Sequence, residues 1–473
     1  MKVTENWRNK SRKPWNNEDY LQRDSAEHEG YAGVLTENRI TENNNTNANV
    51  KEEGLLEAIL NPDNLNKAYK RVMSNKGAHG VDGMGIESLL QYLKDNGEQI
   101  RKSILDGKYR PNPVRRVEIP KENGKRILGI PTVVDRVIQQ ATTQILSPIF
   151  ELQFSNASYG FRPGRSQHDA LKKCIEYANE GYVYVVDMDL EKFFDTVNQS
   201  KMIEILSRTI KDGRVVSLIH KYLRAGAEEH GEILKTEIGL AQGGNISPLC
   251  SNIILNELDH ELERRGVRFV RYADDVLLFA KSERAANRIL EHIRPYIENK
   301  LFLKVNMEKT GIARITDKTK YLGYGFYKSK DDEIRLYVHD KSTNKMKARI
   351  KDIIKRGSGN GYEKLKLKLK QYINGWVNYF ILADMKGLLT NIDKWLRRLI
   401  RKFIWDRWKK VRTRIAMLIK LGLCEDNAIK FGNTRKGSWR TAGSPILSTT
   451  ITNKRLIQAG YTFFTDYYNA RKA

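Results

Sequence analysis

The stretch Phe269-Val-Arg-Tyr-Ala-Asp-Asp-Val-Leu-Leu-Phe279 places two adjacent carboxylates between two apolar runs. Short β-forming runs on either side of a tight polar turn predict a hairpin with Asp274 and Asp275 at its tip. Asp is a common turn residue because its side chain bonds nearby backbone, so the stretch alone also fits a plain solvated turn. The apolar wall Val276, Leu277, Leu278 and Phe279 argues instead that the hairpin packs on a core. Two adjacent carboxylates held there repel each other, and a divalent cation relieves that repulsion. Hard cations such as Mg2+ take oxygen ligands and keep positions for water and substrate phosphates. The hairpin therefore asks for a third carboxylate and a phosphate-bearing substrate.

Upstream, Tyr182-Val-Tyr-Val-Val-Asp-Met-Asp-Leu-Glu-Lys-Phe-Phe-Asp195 begins as a β-forming run and ends in acid–aromatic alternation. Side chains repeat every two residues along a strand, so Asp187 and Asp189 share a face. Unpaired buried charge is costly, and these acids supply the missing carboxylate. Between the two acidic blocks lies Gly239-Leu-Ala-Gln-Gly-Gly-Asn-Ile-Ser-Pro-Leu249, which runs into an apolar helix. Its glycine pair leaves backbone amides near a helix start, a natural phosphate- or base-contacting position.

Nearer the N-terminus, Arg110 to Lys121 and Lys125 to Pro131 read as two strands joined by a turn at Glu122-Asn-Gly124. Arg115, Arg116, Lys121, Lys125 and Arg126 decorate this hairpin, either as solvated charge or as a grip on phosphates. A helix is expected from Val133 to Leu146, followed by the basic, aromatic loop Ser158-Tyr-Gly-Phe-Arg-Pro-Gly-Arg165. The glycine-rich loop Asn75 to Gly83 is equally a plain connector or a point of close approach to a backbone. Residues 1–50 are polar and Asn-rich, which predicts a mobile extension.

The formal net charge is +26, and residues 341–473, with 31 Lys and Arg against 8 Asp and Glu, account for +23 of it. A polyanionic partner is the physical reading of such a field. Arg397, Arg398, Arg401, Lys402, Arg407, Lys409, Lys410, Arg412 and Arg414 interleave with Trp395, Phe403, Trp405 and Trp408. Helical spacing would bury Leu396, Leu399, Ile400 and Phe403 and leave a basic face. The three cysteines are far apart, which argues against a zinc site or disulfide framework and suits a reducing compartment. No run of eighteen apolar residues exists, so no membrane association is expected.

These blocks, in this order, resemble the reverse transcriptases encoded within bacterial group II introns, also called intron maturases. Tyr272-Ala-Asp-Asp275, Asp187-Met-Asp-Leu-Glu-Lys-Phe-Phe-Asp195, Gln242-Gly-Gly-Asn-Ile-Ser-Pro-Leu249, Tyr159-Gly-Phe-Arg-Pro-Gly-Arg165 and Ile130-Pro-Thr-Val-Val-Asp-Arg136 carry the likeness. Gly375-Trp-Val-Asn-Tyr-Phe380 and Lys436-Gly-Ser-Trp-Arg440 are similar to the family's maturase region. The family commonly reads Thr-Pro-Gln-Gly-Gly where this chain has Leu240-Ala-Gln-Gly-Gly, which removes a fixed φ before Gln242.

The resemblance implies an α+β right-hand polymerase: fingers, a palm with an antiparallel sheet, a helical thumb and a small basic C-terminal DNA-binding region. Its divisions would be a mobile extension over 1–54, fingers over 55–180, palm over 181–335, thumb and maturase region over 336–410, and the remainder over 411–473. It further implies RNA-directed DNA polymerase activity, with Asp189, Asp274 and Asp275 holding two Mg2+ ions (Mn2+ as substitute). Lys121 and Arg126 would hold the incoming triphosphate, Phe194 would lie beneath the sugar and favour dNTPs, and Gln242 would contact the nucleotide. Arg115, Arg116, Arg162, Arg397, Arg398, Arg401, Lys409, Lys410, Arg412 and Arg414 would contact nucleic acid. Partners would be group II intron RNA, an RNA template and a DNA primer or target, and the protein would be cytoplasmic and nucleoid-associated on its target; a homodimer is compatible. No endonuclease pattern follows Asn433, so no target-nicking activity of its own is expected. Two rivals stay open: a splicing-only RNA-binding maturase, and a domesticated reverse transcriptase in repair or defence.

Overall fold

The computed structural model describes residues 54–472 except 122–123, 230, 318 and 358–360, and the side chain of Lys121 is also outside the description. The expected mobile extension and the turn at Glu122-Asn123 therefore lie outside the described residues. The described chain divides into two compact bodies, up to Arg335 and from Leu336 onward. Among the described residues no helix is long and apolar enough to cross a membrane.

The first body is α+β, and its acidic sheet is built from the β-forming runs of the two acidic blocks. Strands β3 (Tyr184–Met188), β6 (Arg268–Tyr272), β7 (Asp275–Ala280) and β8 (Gly311–Arg314) form an antiparallel sheet in the order β6-β7-β3-β8. Val186, Met188, Phe269, Val276 and Leu278 point into the main core of this body. The opposite face carries Val185 and Phe279 at one end, Asp187 beside Leu277 in the middle and Asp275 at the hairpin end. Period-two alternation thus separates an apolar face from a face that ends in charge.

A second sheet, in the order β2-β1-β4-β5, contains the predicted basic hairpin as β1 (Val114–Lys121) and β2 (Gly124–Ile130). Strand β4 (Ala227–Glu229) joins β1 in parallel and pairs with β5 (Glu232–Leu234), an extension absent from the sequence reading. The helix predicted from Val133 runs on to Glu151 and starts at Thr132, whose hydroxyl accepts the Asp135 amide. Helix Gln167–Asn179 starts with a capping box between Ser166 and Asp169, a device worth about 1 kcal/mol.

Helix Ser247–Arg264 is the axle of this body. It is buried on nearly every side, and its buried residues include the polar Asn252, Asn256 and Asp259. Buried polar groups must be paired, and these reach the segment Gln153–Gly160 and strand β6.

Beyond the strand Ile334–Val338 the second body consists of helices. Its core includes Leu369, Ile373 and Trp376 of helix Gly361–Tyr379 and Leu396, Ile400 and Phe403 of helix Lys386–Arg407. The Lys364–Lys370 alternation is helical, as the spacing of its apolar neighbours predicts. Leu399 is only half-buried. Buried Asp393 accepts the Phe464 and Thr465 amides at 2.9 Å each, fastening helix Phe464–Lys472 to the bundle.

Candidate polymerase site

Pairing of β3 with β7 sets Asp187 opposite Leu277 and Met188 opposite Val276. Asp189 follows directly on this paired stretch, and its charge bears on Asp275, so acids from two distant blocks come together. Tyr272 pairs with Asp275, leaving Ala273 and Asp274 as the two central residues of the turn. Ala273 has φ +57°, the positive value that primed hairpin turns demand and that usually selects glycine. Asp274 is half-buried at the tip.

The electrostatics report the crowding. Desolvation in the cleft, then the charges of Asp274, Asp187 and Asp189, pushes the Asp275 carboxyl up to about 7, although the residue keeps a solvent-facing edge. Desolvation followed by the charge of Asp189 pushes Asp187 to about 6. Carboxylates arranged so that each resists the ionisation of the next are a donor set suited to a hard divalent cation. Among the described residues no three acid, His or Cys side chains close on one point as they stand.

Asp189 is fixed from the segment Lys304–Thr310. Its amide donates to Thr310 Oγ1 at 3.2 Å, and its carbonyl accepts the Asn306 amide at 2.8 Å. Lys309 Nζ lies 3.6 Å from Asp189 Oδ2. Lys309 was not among the expected site residues. Its position depends on a segment more than a hundred residues downstream folding back over the first acidic block, and no local pattern announces that.

Phe194 is half-buried and stacks edge-on against Phe193, with ring centroids 5.2 Å apart. Its carbonyl accepts the Leu240 amide at 2.6 Å, while the Gly239 amide donates to the Val197 carbonyl at 2.8 Å. The Gln242 carbonyl accepts the Gly129 amide of β2 at 2.8 Å, which ties this loop to the basic hairpin. At Ala241, where the family's proline is missing, Ser247 Oγ donates to the Ala241 carbonyl at 2.7 Å and braces the loop. Arg126, half-buried on β2, stands opposite Ile119.

Other expected contacts are committed within the protein. Arg115 Nε donates to the His79 carbonyl at 3.2 Å, and Arg116 pairs with Glu229 at 3.0 Å. Arg162 requires correction as a nucleic-acid contact: it is buried, ion-paired with Glu151 at 2.6 Å, and donates to the Ser158 carbonyl at 2.8 Å. The second correction is Arg401, buried and donating to the Ile451 carbonyl at 2.8 Å and Asn453 Oδ1 at 2.9 Å. In both cases the guanidinium satisfies carbonyls that would otherwise lie unpaired. Arg397 stacks on Phe463, Arg398 on Trp439 and Arg414 on Trp405, each half-exposed. Lys409, Lys410 and Arg412 stay exposed.

Comparison with known proteins agrees with this geometry. Residues 119–326 match the family profile described as reverse transcriptase (RNA-dependent DNA polymerase), and residues 343–419 match the group II intron maturase-specific domain. Protein YkfC of Escherichia coli (strain K12) is 35% identical over 320 residues, covering 59% of this chain and 84% of that protein. The group II intron-encoded protein LtrA of Lactococcus lactis subsp. cremoris is 30% identical over 401 residues, 71% of this chain and 65% of LtrA. The putative COX1/OXI3 intron 2 protein of Saccharomyces cerevisiae is 26% identical over 79% of this chain and 55% of its own length. The chain thus spans most of YkfC but under two thirds of LtrA and little over half of the yeast protein. Chemistry of the reverse transcriptase domain requires a divalent cation, and a maturase-specific domain implies binding of intron RNA and nucleic-acid templates. With an acidic cleft in a reverse transcriptase fold followed by a maturase-specific domain, the chain belongs to the group II intron-encoded reverse transcriptase–maturase family.

Proposed function

We propose that the protein binds its group II intron RNA, assists its splicing and copies it into cDNA from dNTPs during retrohoming. The observation that carries this reading is the gathering of Asp187, Asp189 and Asp274 around Asp275, whose carboxyl they help push up to about 7. Fingers would comprise residues 55–180, the palm 181–335, the thumb and maturase region 336–410, and a DNA-binding region 411–473.

In this mechanism Asp189, Asp274 and Asp275 would hold two Mg2+ ions, with Mn2+ able to substitute. When bound there, the metal would activate the primer 3′-hydroxyl and neutralise charge on the departing pyrophosphate. Lys121 and Arg126 would grip the triphosphate by charge-assisted hydrogen bonds. Phe194 would exclude a 2′-hydroxyl by shape, which costs the wrong substrate rather than helping the right one. Gln242, braced through its backbone, would orient the nucleotide. Of the C-terminal cations expected to contact nucleic acid, Lys409, Lys410 and Arg412 are the exposed ones, open to phosphate contact. The setting would be the cytoplasm, with nucleoid association on target DNA, and a homodimer is compatible with this scheme.

The test is primer extension on an RNA template with dNTPs and Mg2+, run beside RNA binding over a salt series. Wild type should extend, and Asp274→Ala should lose more than about a hundredfold in rate while keeping its RNA affinity and salt slope. A wild type that binds RNA tightly and never extends would make a splicing-only maturase the better account.

A further inference from the structure

The acidic hairpin presents its carboxylates on one side, and its other side rests on a buried polar lattice that the proposed chemistry does not use. Arg271, one residue before Tyr272, is fully buried there. Its Nε donates to Asp259 Oδ1 at 2.8 Å and one terminal nitrogen to Asp259 Oδ2 at 2.5 Å. The other terminal nitrogen donates to Asn252 Oδ1 at 2.9 Å and to the Ala273 carbonyl at 3.0 Å. Asn252 and Asp259 lie two turns apart on one face of helix Ser247–Arg264. Asn252 Nδ2 also donates to the Gly160 carbonyl at 2.8 Å. Gly160 abuts the turn so closely that a Cβ there would sit 2.2 Å from the Ala273 nitrogen.

Stability alone does not account for this arrangement. A fully desolvated ion pair is often no more stabilising than apolar residues of the same volume. What the pair does supply is direction. A planar guanidinium fixes several acceptors at once, which an ammonium cannot. Here those acceptors are the helix that follows the Gln242 loop and the carbonyl of Ala273, a non-glycine residue held at positive φ.

We propose that Arg271, clamped by Asp259, is a positioning residue that holds the Ala273–Asp274 turn so that Asp274 and Asp275 share divalent cations with Asp189. The inference rests on the polymerase reading for the purpose of those carboxylates.

The double variant R271M/D259L removes both charges together, so neither is left buried without its partner. R271K keeps the charge and removes the fork. Binding of Mn2+ to the full chain is followed through the electron paramagnetic resonance signal of the free ion, with Asp274→Ala as the site control. Primer extension, thermal unfolding and RNA affinity are measured in parallel. The double variant should fold, bind RNA as wild type does, and bind Mn2+ roughly tenfold or more weakly, the usual cost of losing a partner behind metal ligands. Its kcat should fall while KM for dNTP holds, and R271K should show the same Mn2+ defect. Unchanged Mn2+ binding in the folded double variant overturns the proposal. If the double variant fails to fold, R271K decides on the same criterion. A wild type that binds Mn2+ through Asp274 without extending a primer defeats the polymerase reading, while a Mn2+ defect in the variants still upholds the positioning role.

Discussion

Desolvation and then the repulsion of neighbouring carboxylates push the Asp275 carboxyl up to about 7 and that of Asp187 to about 6, although both residues are solvent-exposed. Both values lie above that of an unfolded chain's aspartate, so each group favours the folded state while protonated. That contribution is lost as pH rises through the window from about 4 to about 7. Cation binding selects the ionised form and runs the other way. Metal-free wild type should therefore lose thermal stability between about pH 4 and about pH 7 relative to Asp275→Asn. Added Mg2+ should restore more of it at the higher pH. A wild-type-minus-variant difference that is flat over this range would dissolve the coupled acid cluster. The acids themselves were legible in the sequence as residue types at turn and strand spacing. Lys309 was not, since its place beside Asp189 follows from a chain reversal and not from spacing.

At the scale of elements, the hairpin works because loop, helix and turn interlock. Gly160 is the tightest point: replacing it by Ala would drive a methyl group into the Ala273 backbone. Overpacking of this kind costs about 1–3 kcal/mol. Because the displaced group is backbone of the acidic turn, primer extension by Gly160→Ala should fall by at least about tenfold even where the protein is folded. Circular dichroism melts and extension rates on the same preparation check this, and an unchanged rate would show that the turn tolerates the shift. The strands β1, β2, β3, β6 and β7 were readable as β-forming runs beside turns. The β4–β5 addition was not, because three-residue strands carry too little pattern to stand out from a loop.

For the whole molecule, charge is divided between two bodies, with +23 of the +26 beyond residue 340. Several cations of that body are spent on packing, as Arg401 and Arg414 illustrate. Exposed Lys409, Lys410 and Arg412 remain available to phosphates. Replacing all three by Ala should flatten the dependence of log affinity on log salt by about 0.7–0.9 for each phosphate that is no longer neutralised. Extension of a short primer on an unstructured RNA template should change little. An unaltered slope would move the binding surface elsewhere on the chain.

By itself the sequence determined the acid blocks, the hairpin, the order of motifs and the site of the positive field, because these are written in residue type and short-range period. Tertiary structure alone decided which charged groups are spent inward. Arg162, Arg271 and Arg401 look like any surface arginine in one dimension, yet each is buried and bonded to groups supplied by other segments. A guanidinium's role depends on what is desolvated around it, and desolvation is a property of packing across the chain rather than of neighbours along it.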